Sequence, residues 1–182
     1  MLHKKAVLFF FILAAYLVLP ISSSQAQPYG YEGTQVCGMC HKTEKQGKQL
    51  KIWSESKHAQ AYKTLQSNKA NEIAMKKYNK KAVDSPECLK CHASGYNVDK
   101  ALVGAKFKVE DGVQCEACHG PGSGYKPMAV MKNKEESKKK GLMVHDDAAK
   151  FCKTCHNSES PTFKDFKYDE MWKKIAHSVP KG

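Results

Sequence analysis

The pattern Cys-x-x-Cys-His occurs four times in this chain, and it constrains the fold more than any other feature. Two thiols at this spacing can each form a thioether to one porphyrin, and the adjoining imidazole then reaches the iron as its proximal ligand. The four copies use every cysteine of the chain and predict four covalently attached c-type haems: Cys37, Cys40 and His41; Cys88, Cys91 and His92; Cys115, Cys118 and His119; and Cys152, Cys155 and His156.

Zinc is the main alternative reading of these motifs, because two Cys-x-x-Cys pairs make one four-thiolate site. Zinc does not require a histidine after the second cysteine. Histidine is 8 of 182 residues, so four such coincidences have a probability on the order of a few in a million. Structural disulfides and thioredoxin-like redox pairs do not need the trailing histidine either, so haem is the favoured interpretation.

The amino-terminal segment has the layout of a secretory signal peptide. A basic region with Lys4 and Lys5 precedes an uncharged apolar run over residues 6–21, and small residues follow up to Ala26. Cleavage near Ala26 would leave a single domain over residues 27–182. An uncleaved anchor is the alternative, but the run falls short of the roughly twenty residues that span a bilayer. We therefore expect export to the periplasm and no stable membrane span.

The charge of the chain fits covalent haem better than a nucleic-acid partner. The formal net charge is +12, and loss of residues 1–26 removes two lysines and no acid, which leaves +10. Four haems would bring about eight ionised propionates, so the mature holoprotein would carry about +2. All thirty basic residues are lysine, so no arginine fork is available to bind an anionic substrate.

The mature chain holds few apolar side chains with which to build a core. Apolar residues make up about 37% of residues 27–182, and eight of these are the motif cysteines. We therefore predict a multihaem cytochrome c fold, mainly α with long loops and a short β-ribbon, whose core is built on the four covalently bound haems. Without haem, we expect the chain to be largely unfolded.

Hydrophobic periodicity predicts the elements between the motifs. A helical stripe runs from Trp53 to Tyr78, with Ser54 or Ser56 as its cap. Alternation over residues 105–109 before Asp111-Gly112 predicts a two-stranded ribbon. Residues 120–124, Gly-Pro-Gly-Ser-Gly, predict a tight turn. The charged stretch over residues 132–140 has Glu135 and Lys139, and Glu136 and Lys140, at the helical spacing i, i+4, and we expect it to be a solvated helix or loop. A last helix is expected over residues 168–177.

Histidines outside the motifs decide the sixth iron ligands. The mature chain has three of them, His58, His145 and His177, for four irons. We predict all three as distal ligands, which leaves one of the four irons without a histidine as its sixth ligand. Methionine is an alternative ligand that raises the reduction potential, although at helical spacing methionines more often pack against apolar surface.

Several longer segments resemble the tetrahaem cytochrome c554 family, first known as electron acceptors of hydroxylamine oxidation. The resemblance covers nearly all of the mature sequence. The segments that carry it are Tyr31-Glu32-Gly33, the Trp53 to Ala59 segment with His58, Val113-Gln114-Cys115-Glu116-Ala117-Cys118-His119-Gly120-Pro121-Gly122, and Phe166-Lys167-Tyr168-Asp169-Glu170-Met171.

The resemblance implies three bis-histidine haems and one five-coordinate, high-spin haem at the second motif. The open iron is then that of His92, and Pro161, Thr162 and Phe163 are candidates for covering its free face. The same resemblance implies that His58 ligates the iron of His119 and that His177 ligates the iron of His156.

His145 is then left for the His41 haem. The family's ligand for this haem lies closer behind the Gly-Pro-Gly turn, where this chain has Tyr125, Lys126 and Met128 and no histidine. Alternatively, the His41 haem uses methionine or stays open.

These features favour an exported electron carrier that passes electrons along its haems between redox protein partners. No catalytic residue is assigned. One alternative is a reductase of nitric oxide or a hydroxylamine-type compound at the open haem. Another is a subunit of a conductive filament, in which one copy supplies an axial ligand to the next. The sequence leaves the donor, the acceptor and the oligomeric state open.

Overall fold

The computed structural model describes residues 29–177, and over this range the chain is mainly helical. The predicted signal peptide and its cleavage point lie outside the described residues. Between residues 29 and 177, no helix is long and apolar enough to cross a membrane. Ten short α-helices follow one another: α1 (Thr34–Gly38), α2 (Gln49–Ser54), α3 (Ala61–Leu65), α4 (Asn68–Tyr78), α5 (Pro86–His92), α6 (Cys115–His119), α7 (Met128–Met131), α8 (Lys134–Lys139), α9 (Ala148–Cys152) and α10 (Tyr168–Trp172).

The predicted helix from Trp53 to Tyr78 is wrong as one element, because it is divided among α2, α3 and α4. Ser54 and Ser56 donate their hydroxyls to the carbonyls of Lys51 and Trp53, so they terminate α2 instead of capping a helix start. The cap lies at Ser67, whose hydroxyl accepts from the Ala70 N–H at 3.2 Å. His58 consequently lies in the turn between α2 and α3.

The predicted β-ribbon is also wrong, since residues 29–177 contain no strand beyond a single parallel bridge between Tyr31 and Val103. The segment pairs with the amino-terminal backbone instead of folding on itself: the Gly104 N–H donates to the Tyr31 carbonyl at 2.7 Å. Phe107 turns inward and packs edge-on against the Tyr31 ring, with 5.6 Å between ring centroids.

The charged helix and the tail helix are shorter than predicted. The charged helix α8 pairs Lys138 with Glu135 and Lys139 with Glu136, at spacing i, i+3 instead of the predicted i, i+4. The last helix α10 covers residues 168–172, and hydrogen-bonded turns continue to Ala176. The Gly-Pro-Gly turn is confirmed: Gly120 has φ +76°, and a 3-10 turn follows over Gly122–Gly124.

Few apolar side chains are buried, and most of them are small. One cluster joins Leu65, Ala74 and Ala82, with Cys88 and Leu89 packed against it. This cluster fixes α5, which carries the second motif, against α3 and α4. Pro86 starts α5 at a position where its missing N–H costs no helical hydrogen bond. The largest fully buried side chains in the described part of the chain are polar: Gln114, Glu116, Ser85 and Ser137.

Candidate functional site

Each Cys-x-x-Cys-His motif lies in or directly after one short helix. The second and third motifs occupy α5 and α6, whereas the first and fourth begin in α1 and α9 and continue into the following turns. A helical turn brings residues three apart onto one face, so the two thiols of a motif share a face. No disulfide joins any two of the eight cysteines.

The thiols of different motifs lie next to one another in two pairs. Cys37 of the first motif and Cys115 of the third are within hydrogen-bonding distance, and this contact, followed by burial, raises the pKa of Cys37. Cys91 of the second motif contacts Cys155 of the fourth in the same way, which raises the pKa of Cys91 and lowers that of Cys155 to about 6.

A fifth thiol, that of Cys118, links the two pairs. Burial raises the pKa of Cys118 to about 11, with smaller contributions from the charges of Cys152, Cys115 and Cys155. Cys118 therefore lies close enough to the fourth motif for its thiols to interact electrostatically. The thiol interactions therefore connect the first motif to the third, the third to the fourth, and the fourth to the second.

Two motif histidines each lie opposite a histidine from outside the motifs. The ring centroids of His119 and His177 are 5.8 Å apart, and those of His58 and His156 are 6.0 Å apart. Two imidazoles that bind one metal ion from opposite sides at about 2 Å per bond place their ring centres roughly 6 Å apart. Both spacings therefore fit a six-coordinate iron between the rings.

The pairing differs from the one that the family resemblance implies. His58 lies opposite His156 and not His119, while His177 lies opposite His119 and not His156. After the fourth motif, Phe166 stacks on the His156 ring at 4.6 Å and 15°. The last helix then continues past this motif and brings His177 to His119.

Burial favours the neutral form of three of these imidazoles, those of His119, His58 and His156. It lowers the pKa of His119 to about 4, assisted by the charges of His177, His145 and His41. Burial also lowers the pKa of His58, and the charge of His156 lowers it further. Burial likewise lowers the pKa of His156, and the charge of His92 adds to this effect. Only a neutral imidazole can bind a metal ion.

His92 is placed differently from the paired histidines. Its Nδ1 donates to the Ala61 carbonyl at 2.9 Å, which leaves Nε2 as the ring nitrogen available to iron. A cavity of about 430 Å³ lies beside it. Its lining residues include Leu65, Ala70, Ile73, Cys88, Cys91, Pro161 and Thr162, and residues 29–177 contribute no second histidine and no methionine to this lining. Of the three residues predicted to cover this side, Phe163 does not line the cavity.

His41 and His145 belong to the same region as His119, as their effect on its pKa indicates. The Nδ1 atom of His41 is buried and has no hydrogen-bond partner. His145 stacks on Phe151 at 3.7 Å, and its Nε2 donates to the Cys118 carbonyl at 2.7 Å, which leaves Nδ1 available. A cavity of about 450 Å³ lies next to His145, between Lys138 and the segment 142–146. Ligation by His145 stays a prediction.

A buried polar network joins the first motif to the third, and sequence reasoning missed it. Gln114 accepts from the Thr34 N–H at 3.2 Å and donates to the Lys108 carbonyl at 2.7 Å. Tyr125 donates its hydroxyl to the carbonyls of Gly120 and His119 at 2.8 and 3.1 Å. The only sequence signal was the Gln-Cys-Glu run itself, whose polar residues are ordinarily expected on the surface.

The site fits haem, as three observations indicate: the ring spacings near 6 Å, the cavity with Cys88, Cys91 and His92 in its wall, and the unpartnered ring nitrogen of His41. A zinc site needs three or four ligands that converge. Within residues 29–177, no three or more His, Cys, Asp or Glu side chains are arranged to hold a metal ion by themselves.

Comparisons with known proteins agree with this reading. The family model described as "Cytochrome c554 and c-prime" matches residues 36–120, which hold the first three motifs. A curated relative, cytochrome c-554 of Nitrosomonas europaea, is 27% identical over 195 aligned positions that cover 90% of this chain and 81% of the relative. No solved structure matches. The family resemblance predicted from the sequence is confirmed.

Proposed function

Because the chain is a relative of the cytochrome c554 family, we propose that it is an exported tetrahaem c-type cytochrome that carries electrons between redox proteins. Haem c supplies an iron that changes its charge by one electron, and the axial ligands set its potential. The chain itself attaches each porphyrin, supplies neutral imidazoles and excludes water. The proposal includes cleavage near Ala26 and a mature domain over residues 27–182.

The opposed imidazole pairs carry the proposal. At 5.8 and 6.0 Å, His119 with His177 and His58 with His156 have the separation that bis-histidine ligation requires. Bis-histidine ligation favours low potentials and needs little rearrangement between oxidation states, which suits a relay. His145, through Nδ1, is the ligand that we propose for the His41 haem.

The order of the attachment points supports a relay through the whole protein. The Cys37–Cys115 and Cys91–Cys155 contacts bring the first motif to the third and the second to the fourth. The interaction of Cys118 with Cys152 and Cys155 links the two pairs. Every attachment site therefore has a neighbour, so no haem would be isolated.

The haem count is the direct test. Protein expressed with its signal peptide in a host that matures c-type cytochromes is purified from the periplasm, and its intact mass is measured under denaturing conditions. We expect the mass of residues 27–182 plus four covalently bound haems. A metal-loaded or disulfide-linked protein without haem would refute the proposal.

A second candidate is a reductase of a small nitrogen compound at the His92 haem. The cavity beside His92 favours it, because no second histidine of the described residues lines that space. Turnover of nitric oxide or hydroxylamine by the reduced holoprotein, with an electron donor in excess, would separate the two. A carrier that does not react with these compounds stays reduced and leaves the donor and the substrate unconsumed, whereas a reductase consumes both continuously.

A further inference from the structure

Glu116 is a buried carboxylate that takes no part in the proposed attachment of haem or in the proposed ligation of iron. It lies between Cys115 and Cys118 in α6 and is 2% exposed. Oε1 accepts from the N–H groups of Glu32 at 2.8 Å and Gly122 at 2.7 Å, and Oε2 accepts from Gly33 at 2.8 Å. One side chain thus ties the segment before the first motif and the turn after the third motif to the helix of the third motif.

The hydrogen bonds indicate that Glu116 carries a negative charge. Each of these partners is an N–H donor, and an ionised carboxylate accepts from all of them without adding a donor of its own. Within residues 29–177, no lysine or histidine forms an ion pair with Glu116. Glu32, its neighbour, is paired with Lys126 at 2.6 Å, so these three side chains together keep one negative charge.

The charge acts at the attachment points of two haems. The pKa of Cys37 is raised first by its hydrogen bond to Cys115 and by burial, and the charge of Glu116 adds to this rise. Burial also raises the pKa of Tyr125, and among charged groups Glu116 makes the largest addition. The field of Glu116 therefore reaches the thiol of the first motif as well as the segment behind the third.

We propose that Glu116 lowers the reduction potentials of the two haems attached by the first and third motifs relative to the other two. A fixed negative charge stabilises ferric over ferrous iron, and it acts strongly in a site that water does not screen. The relay would then have a low-potential pair at one end and a higher-potential pair at the other. This inference rests on the proposed function.

The test compares Glu116→Gln with Glu44→Gln in the full-length holoprotein. Both substitutions remove one charge, but the Glu44 side chain is 84% exposed and pairs with Lys48 on the surface. Spectroelectrochemical titration is resolved into four one-electron components. In Glu116→Gln we expect two components to move to higher potential, so that the ratio of reduced to oxidised haem at fixed potential rises about tenfold, equivalent to about 59 mV. The other two components should move little.

Glu116→Asp separates charge from structure, because it keeps the charge but shortens the reach to the backbone donors. We expect its four potentials to stay near those of the unaltered protein. Equal shifts in Glu116→Gln and Glu116→Asp, or equal shifts in Glu116→Gln and Glu44→Gln, would overturn the proposal.

Lys126→Gln provides a second test if Glu116→Gln does not fold into a holoprotein. The Lys126 side chain is 46% exposed, and its loss leaves Glu32 as a second unpaired charge beside Glu116. We expect two components to move to lower potential, and unchanged potentials would overturn the proposal. The covalent haem count of each variant is measured alongside, so that failure of the tetrahaem proposal is recognised separately.

Discussion

The His119 ring lies 5.8 Å from the His177 ring, although 58 positions separate the two residues along the chain. This contact brings the turn after α10 to the third motif and, under the proposed function, makes it part of the environment of that haem. The corresponding contact between His58 and His156, at 6.0 Å, joins the turn after α2 to the fourth motif. Each pair brings together one motif histidine and one histidine that the motifs do not explain.

Replacement of His58 or His177 by alanine should convert one haem from low spin to high spin. The iron loses its sixth ligand in each case, and its potential rises because the remaining coordination favours the ferric state less. Each variant should show one low-spin signal fewer in the magnetic resonance spectrum, and the double variant should show two fewer. Tyr62→Phe serves as a control, and loss of the same signal in both single variants would contradict the two separate pairs.

Replacement of His145 by alanine tests the ligand proposed for the His41 haem. We expect a third low-spin signal to disappear while the signals lost in His58→Ala and His177→Ala remain. Phe151→Leu is the matched control, since it removes the stacking partner of His145 and keeps the imidazole. An unchanged spectrum in His145→Ala would assign His145 a structural role and leave the His41 haem with another ligand or an open position.

The motifs and the set of spare histidines could be predicted from the sequence, because thioether and imidazole chemistry requires those residues at that spacing. The partner of each spare histidine could not. His58 and His177 lie in turns, and the Phe166 stack on His156 follows from the path of the chain and not from any local pattern. The helix predicted from Trp53 to Tyr78 failed for a related reason, since periodicity did not reveal the turn between Glu55 and Gln60.

Glu116 shows a different limit of the sequence. An acidic residue between two motif cysteines carries no signal of burial, and its three backbone partners come from segments up to 84 positions away. Hydrogen-bond donors from such distant segments can be identified only from the three-dimensional structure.

Tyr125→Phe should lower the stability of the holoprotein. The hydroxyl is the donor to the carbonyls of Gly120 and His119, and its loss leaves a buried acceptor without its partner, at a cost of about 1–2 kcal/mol. Guanidinium unfolding followed by circular dichroism measures the change. Tyr62→Phe, at a tyrosine without a hydrogen bond from its hydroxyl in the described part of the chain, should leave the midpoint almost unchanged, and equal effects of the two would contradict this role.

Chain that has not received haem should lack a stable fold. The buried apolar residues of the described chain are seven, four of them alanine: Ala61, Leu65, Ala74, Ala82, Ala93, Phe107 and Tyr125. So small a set buries too little area to offset the entropy of ordering the backbone. Far-ultraviolet circular dichroism of protein made without haem attachment should show a largely unfolded spectrum, and a cooperative melt would contradict the prediction.

The spin states of the oxidised holoprotein test the central claim most directly, because they count the irons with and without a sixth ligand. Magnetic resonance of the fully oxidised protein is integrated against its covalent haem content. We predict three low-spin haems for each high-spin haem, with the high-spin signal alone responding to an added ligand such as cyanide. A spectrum with four low-spin haems, or with two or more open irons, would contradict the account.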